Sequence, residues 1–184
     1  MIMQDTTLKE MIHIQREAIP SNICDSIIKN IENSDWQQHS WGNPLNDEVE
    51  SYDRELSVLH ADASTLHPFI ENALINYQNN TQAGNFLFNV STVRFNRYGE
   101  NQIMRPHTDH IRDIFDGEKR GIPIVSVIGN LNDDYEGAKL TFWDGYSVDL
   151  GKGDIVAWPS LFLYPHEVTE ATQGTRYSFV CWAY

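Results

Sequence analysis

From residue 86 to the C-terminus the chain is a succession of short β-branched and aromatic runs cut apart by turn residues. The runs are FLFNVSTVRFNRY, IPIVSVIGNL, AKLTFWDG, YSVDL, DIVAWPS and RYSFVCWAY, with Gly117, Gly121, Gly137, Gly145, Gly151, Gly153 and Gly174 between or beside them. Runs too short for helices, rich in strand formers and bounded by glycine, predict a barrel or jelly roll of roughly eight strands. Ahead of them the texture is helical. SNICDSIIKNIEN opens with a capping candidate, Ser21 or Asn22, and sets Ile23, Ile27, Ile28 and Ile31 at helical spacing, which predicts a helix over about 21–33. Phe69, Ala73, Leu74 and Tyr77 mark a second over about 64–79. The expected class is therefore α+β, one domain over residues 1–184, with helical support over about 1–80 and a β-barrel core over about 86–184.

Between the two helices, residues 34–56 are polar and carry Gly42, Asn43 and Pro44, which reads as a long irregular loop. Its two tryptophans, Trp36 and Trp41, either line a binding mouth or pack the loop onto the core. The composition, 41% hydrophobic with 11% aromatic, is enough to bury a sizeable core in 184 residues. A formal charge of −13 repels polyanions, so neither nucleic acid nor an anionic membrane is an expected partner. Cys24 and Cys181 form no CxxC pair and read as reduced thiols. Asp5 and Glu10 interrupt any apolar run near the N-terminus, so a soluble, cytoplasmic protein is expected. The number of subunits is not readable.

Within the β half, RPHTDH places His107 and Asp109 two residues apart, so in an extended segment both side chains point the same way and reach one ion. A His-x-Asp triplet alone is common by chance in a chain with 7 histidines and 26 acidic residues. His166, in LYPHEV 59 residues on, completes a set of two imidazoles and one carboxylate, the facial triad that holds non-haem Fe(II) with positions left open. Ten residues later Arg176, on the last strand, offers a planar fork to a carboxylate of a dicarboxylic co-substrate, and Ser178 on the same face adds a hydroxyl. Six of the 13 basic residues, Arg94, Arg97, Arg105, Arg112, Lys119 and Arg120, flank the motif. They either form a positive mouth or pair with Asp113, Asp116 and Glu118. His110 is expected to face away from the ion, and His13, His39, His60 and His67 to be surface or structural residues.

The blocks FNRYGENQIMRPHTDHIRD, LNDDYEGAKLTFWDG, VDLGKGDIVAWPS and YPHEVTEATQGTRYSFVCW cover most of residues 93–182, and together with IPSNICDSIIKNI they resemble the Fe(II)/2-oxoglutarate-dependent dioxygenases, in the prolyl 4-hydroxylase-like branch that includes bacterial PKHD-type hydroxylases. The resemblance implies a double-stranded β-helix, a cupin-like jelly roll. It makes His107, Asp109 and His166 the catalytic iron ligands and Arg176 the partner of the distal carboxylate of 2-oxoglutarate, with Tyr98 lying against that co-substrate. It implies Fe(II), 2-oxoglutarate and O2 as requirements, with ascorbate as reductant, and succinate and CO2 as by-products of hydroxylation. The carboxylate ligand, absent from halogenases of this kind, points to hydroxylation rather than halogenation. Met104 and Asn130 stand where some relatives carry tyrosine, which opens the hydrogen-bond set around 2-oxoglutarate. Ala138 replaces the second glycine of an expected Glu-Gly-Gly turn, a change expected to affect only the turn.

The expected substrate is a peptidyl proline, with a free amino acid or other small metabolite as the alternative. A non-catalytic cupin-like metal-binding module would keep the strands and some ligands, but it has no need of a carboxylate clamp at Arg176. No G-x-S-x-G elbow is present, neither cysteine has an adjacent histidine, and Gly151-Lys152-Gly153 is a turn rather than a phosphate loop.

Overall fold

The computed structural model describes residues 8–42, 48–81, 89–109, 123–143 and 145–184. The first helix, α1 (Ser21–Ile31), follows Pro20, whose fixed φ suits the position before a first turn; no side chain caps it, so neither Ser21 nor Asn22 plays the expected role. It buries Cys24, Ile27 and Ile31 along one stripe. A short 3₁₀ turn, Ser64–Leu66, leads into α2 (His67–Thr81), which buries Ile70, Ala73, Leu74 and Tyr77.

Strands begin earlier than the sequence texture indicates. In chain order they are β1 (His13–Gln15), β2 (Gln37–Gln38), β3 (Ser40–Gly42), β4 (Val49–Ser51), β5 (Ser57–Leu59), β6 (Arg94–Tyr98), β7 (Met104–His107) and β8 (Val125–Asn130). They continue as β9 (Glu136–Gly137), β10 (Leu140–Phe142), β11 (Tyr146–Val148), β12 (Ile155–Pro159), β13 (His166–Val168), β14 (Ala171–Gln173) and β15 (Arg176–Ala183). The segment expected to be an irregular loop thus holds three short strands, and the N-terminal support contributes β1, which pairs with β12.

The expected closed barrel is not what forms. The strands make a seven-stranded sheet in the order β1-β12-β8-β15-β6-β5-β2 and a four-stranded sheet in the order β11-β10-β13-β7, with two small ribbons β14-β9 and β3-β4. Both larger sheets are open at each edge, so no hydrogen-bond ladder among the described residues closes on itself, and the double-stranded jelly-roll barrel is corrected to an α+β arrangement of open antiparallel sheets. Strand texture reports the period of burial but not the fate of the edge strands, which is where that expectation failed.

Alternation along β15 divides the molecule into layers. Phe179, Cys181 and Ala183 join Phe95, Val127, Ile155 and Ala157 in one apolar cluster with the buried stripes of α1 and α2. On the opposite face Val180 joins Tyr98, Ile128, Val156 and Trp158 against Met104, Leu140, Phe142 and Val168 of the four-stranded sheet. The two sheets meet edge to face at Phe142 and Trp158, whose ring centroids lie 5.2 Å apart. Gly129, in the middle of β8, lets β15 close: a Cβ there would lie 2.0 Å from Cε1 of Phe179. Cys24 and Cys181 are free and buried, and burial pushes their thiols up to about 11 and about 12. No described helix is long and apolar enough to cross a membrane.

Candidate metal centre

His107 is the last residue of β7 and His166 the first of β13, and the two are direct partners in the antiparallel ladder. Register alone therefore brings together imidazoles 59 positions apart, with ring centroids 4.3 Å from one another. Asp109 lies just past the end of β7, its carboxylate oxygens 3.6 Å from Nε2 of His107 and 3.7 Å from Nε2 of His166. All three ligand atoms fall within 4.8 Å of one another, the spacing of donors around one cation.

The histidines are chemically prepared for that cation. Nδ1 of His107 lies 2.8 Å from the carbonyl of Arg105, and Nδ1 of His166 lies 3.0 Å from the carbonyl of Tyr164. A carbonyl only accepts, so each Nδ1 carries the proton and each Nε2 presents its lone pair. Burial lowers the pKa of His166 further, which keeps the ring neutral and able to ligate. For Asp109 burial acts in the opposite sense. His107, His166 and the Ser126 hydroxyl outweigh it and hold the carboxyl well below the usual carboxylate range. Ser126 donates to Oδ2 of Asp109 at 2.5 Å and shares a 2.7 Å hydrogen bond with Ser160. The donor set, two neutral imidazoles and one ionised carboxylate on one side of an open cavity, fits Fe(II).

That cavity measures about 220 Å³, and its walls include Trp41, Arg94, Tyr98, Ile128 and Trp182 as well as the three ligands. Trp41 packs edge-on to His107 with centroids 5.3 Å apart, while Trp36 turns away, donates to the Ile31 carbonyl and packs against Tyr177. Each of the two readings of the loop tryptophans thus holds for one of them. His39 is 7% exposed and lies against Trp41 rather than on the surface. Beside it the buried carboxylate of Glu55 pairs with Arg105 at 2.8 Å, and Arg105 is stacked 3.5 Å over the ring of Tyr52.

Arg176 is fully buried and faces Tyr98, its guanidinium 5.4 Å from the ring centroid. It lines a second cavity, of about 310 Å³, with Tyr135, Ala138 and Leu140, whereas Tyr98 lines the cavity of the three ligands. Its Nε donates to Asn130 Oδ1 at 2.9 Å and its Nη1 to the Ala138 carbonyl at 3.0 Å, so two of the three guanidinium nitrogens are committed to protein acceptors. Asn130 and Ala138, both departures from the family pattern, are therefore the residues that seat this arginine. Ala138 holds a left-handed φ of 45° and presents its backbone carbonyl, a group any residue at this turn would supply. Ser178, opposite Asn96 in the ladder, has a buried Oγ with no partner among the described residues, a hydroxyl fit for a ligand oxygen. His110 and the basic residues Arg112, Lys119 and Arg120 lie outside the described residues.

Sequence reasoning missed Ser126, Ser160, His39 and Glu55. For Ser126 a signal existed, a lone hydroxyl inside the apolar run IPIVSVIG. The other three come together only through tertiary contacts.

Among solved structures, a viral collagen prolyl hydroxylase from Paramecium bursaria Chlorella virus-1 matches with a TM-score of 0.66 and 14% identity over 94% of each chain. A Pseudomonas putida prolyl-4-hydroxylase matches with a TM-score of 0.62 and 21% identity over 94% of this chain and 91% of the other. A Trichoplax adhaerens prolyl hydroxylase in complex with a hypoxia inducible factor peptide fragment matches with a TM-score of 0.70 and 14% identity over 95% and 84%. These likenesses show a shared fold. No curated protein matches the sequence significantly. Residues 93–184 match the family model of the 2OG-Fe(II) oxygenase superfamily, and this half of the chain holds all three converging ligands. On that match and that geometry, the chain belongs to the 2OG-Fe(II) oxygenase superfamily and is an iron- and 2-oxoglutarate-dependent enzyme.

Proposed function

We propose that the protein hydroxylates a prolyl residue of a peptide or protein, with conversion of 2-oxoglutarate and O2 to succinate and CO2. The observation that carries the reading is the triad at the base of an aromatic-walled cavity, Nε2 of both histidines free and Asp109 ionised. Three solved structures of the same fold are prolyl hydroxylases, which supports a proline-sized target for a cavity of about 220 Å³.

Bound ferrous iron, with 2-oxoglutarate and O2, supplies the oxidising power that puts an oxygen atom into a C–H bond. The protein positions and desolvates. His107, Asp109 and His166 hold the metal on one face. Arg176 offers Nη2 to the distal carboxylate of 2-oxoglutarate, and Ser178 adds its hydroxyl. Tyr98, whose hydroxyl burial keeps protonated, stays a donor and a wall rather than a charge. Trp41 and Trp182 form the apolar sides against which a pyrrolidine ring packs.

The test has two stages. Anaerobic addition of Fe(II) and 2-oxoglutarate is expected to give the weak visible charge-transfer band of the chelate, and a folded protein with no band counts against the oxygenase assignment of these residues. Proline-containing peptides and free amino acids are then screened, with ascorbate present, for succinate formation and an added oxygen atom by mass spectrometry. A substrate set that excludes every prolyl compound overturns the prolyl reading and leaves the oxygenase reading standing.

A further inference from the structure

Of the six basic residues that flank the metal motif in sequence, three lie among the described residues, and they have different fates. Arg105 is paired with Glu55. Arg97 lies 4.8 Å over the ring of Trp36, which packs against the helix-side core. Arg94 lines the cavity of the metal ligands. Its Nε donates to Asn96 Oδ1 at 3.1 Å, its guanidinium stands 5.7 Å from the Trp182 ring, and no carboxylate among the described residues forms an ion pair with it. Trp41 and Trp182 line the same cavity, and their buried indole N–H groups have no partner among the described residues.

The ladder fixes where Arg94 stands relative to Arg176. Tyr98 is opposite Arg176 and Arg94 is opposite Val180, so the two arginines are four strand positions apart, about 13 Å along the sheet. With Arg176 assigned to 2-oxoglutarate in the reading above, Arg94, four positions away, is open to a different anion. The charges agree: two on Fe(II) and one on Arg176 are balanced by Asp109 and the two carboxylates of 2-oxoglutarate, so Arg94, which feels Asp109 across the cavity, gains no further anion from that set. The Arg94 side chain is half-buried, and burial pulls its pKa down against the opposing pull of Tyr98 and Asp109, so it has already given up part of its water.

We propose that Arg94 is the residue that selects the substrate, binding a carboxylate carried close to the oxidised carbon. The inference rests on the oxygenase reading above and narrows its substrate class to acids: a free imino or amino acid, or a prolyl peptide with an acidic neighbour. Guanidinium–carboxylate pairing in a desolvated cavity discriminates against the matching amide by about 10- to 100-fold.

The probes are matched pairs, L-proline against L-prolinamide and prolyl peptides with flanking Glu against the same peptides with Gln. Binding is read by quenching of the cavity tryptophans in enzyme loaded with redox-inert Zn(II) and 2-oxoglutarate, and turnover by substrate-stimulated succinate in the Fe(II) enzyme. The acid of at least one pair is expected to bind and react at least about tenfold better than its amide. Arg94→Gln is expected to erase that difference while 2-oxoglutarate affinity shifts less than twofold, and Arg94→Lys to restore part of it. Preference in the proline pair identifies a free acid, and preference in the peptide pair an acidic neighbour. Equal treatment of acids and amides by the wild-type protein overturns the proposal without any variant, which covers misfolding of Arg94→Gln. Loss of 2-oxoglutarate binding in Arg94→Gln also overturns it, by assigning Arg94 to the co-substrate. If the Fe(II) enzyme forms no succinate under any condition, the oxygenase reading has failed, and the Zn(II) binding arm still decides the role of Arg94.

Discussion

Replacing Ser126 by alanine tests how the carboxylate ligand is held. The hydroxyl is fully buried, donates to Oδ2 of Asp109 at 2.5 Å and bonds to the Ser160 hydroxyl, itself 1% exposed, at 2.7 Å. Two costs follow, and they are separable. Asp109 loses its donor on β8, and loss of such a support for a ligand carboxylate lowers metal affinity about 10- to 100-fold, or about 1.4–2.7 kcal/mol. Ser160 is left with a buried, unpaired hydroxyl, which costs the apo fold about 1–3 kcal/mol. Ser160→Ala removes only the outer bond and is expected to change metal affinity less than about threefold. The double variant recovers the stability cost, because no orphan hydroxyl remains, but keeps the affinity cost. Chelator competition with Zn(II) measures the first quantity and thermal unfolding of the apo protein the second. If Ser126→Ala loses stability yet binds Zn(II) like the wild type, Asp109 is oriented by its backbone alone and the argument is wrong.

Gly129→Ala is expected to cost about 3 kcal/mol, because its Cβ would lie 2.0 Å from a ring of Phe179 that is wholly buried and has nowhere to go; a Tm within 2 °C of wild type, against an expected loss of roughly 6–12 °C, refutes the close approach. Burial first, and then Arg94, His107 and Arg105, push His39 down to about 4. The unfolded chain takes up that proton near 6.5, so the folded state loses stability as pH falls from about 6.5 to about 4, by on the order of 3 kcal/mol. His39→Gln should flatten the pH dependence of the apo Tm in this window, and an unchanged slope would show that His39 is not buried neutral.

Much of the centre was legible because its chemistry is periodic. His107 and Asp109 are two positions apart, as are Arg176 and Ser178, and a period of two is what a strand turns into a shared face. His166 was legible as a residue type at the head of a strand, although only the β13–β7 register makes it the partner of His107. The rest depended on contacts that no local pattern encodes. Trp36 and Trp41 have similar polar surroundings in sequence, and one goes to the helices while the other meets the metal ligands. Ser126 and Ser160 sit on separate segments and read alone as ordinary hydroxyls. The open sheets were missed for a related reason: alternating burial is the same in a closed barrel and in two stacked sheets, and only strand pairing tells them apart.

Each ligating histidine is steered by the carbonyl two places before it in the chain, Arg105 for His107 and Tyr164 for His166. The tautomer of both rings is thus written into two tripeptides and owes nothing to the residues across the cavity. Trp41, Arg94 and Trp182 arrive on other strands, so the cavity walls can be exchanged one at a time while the ligand nitrogens stay tuned.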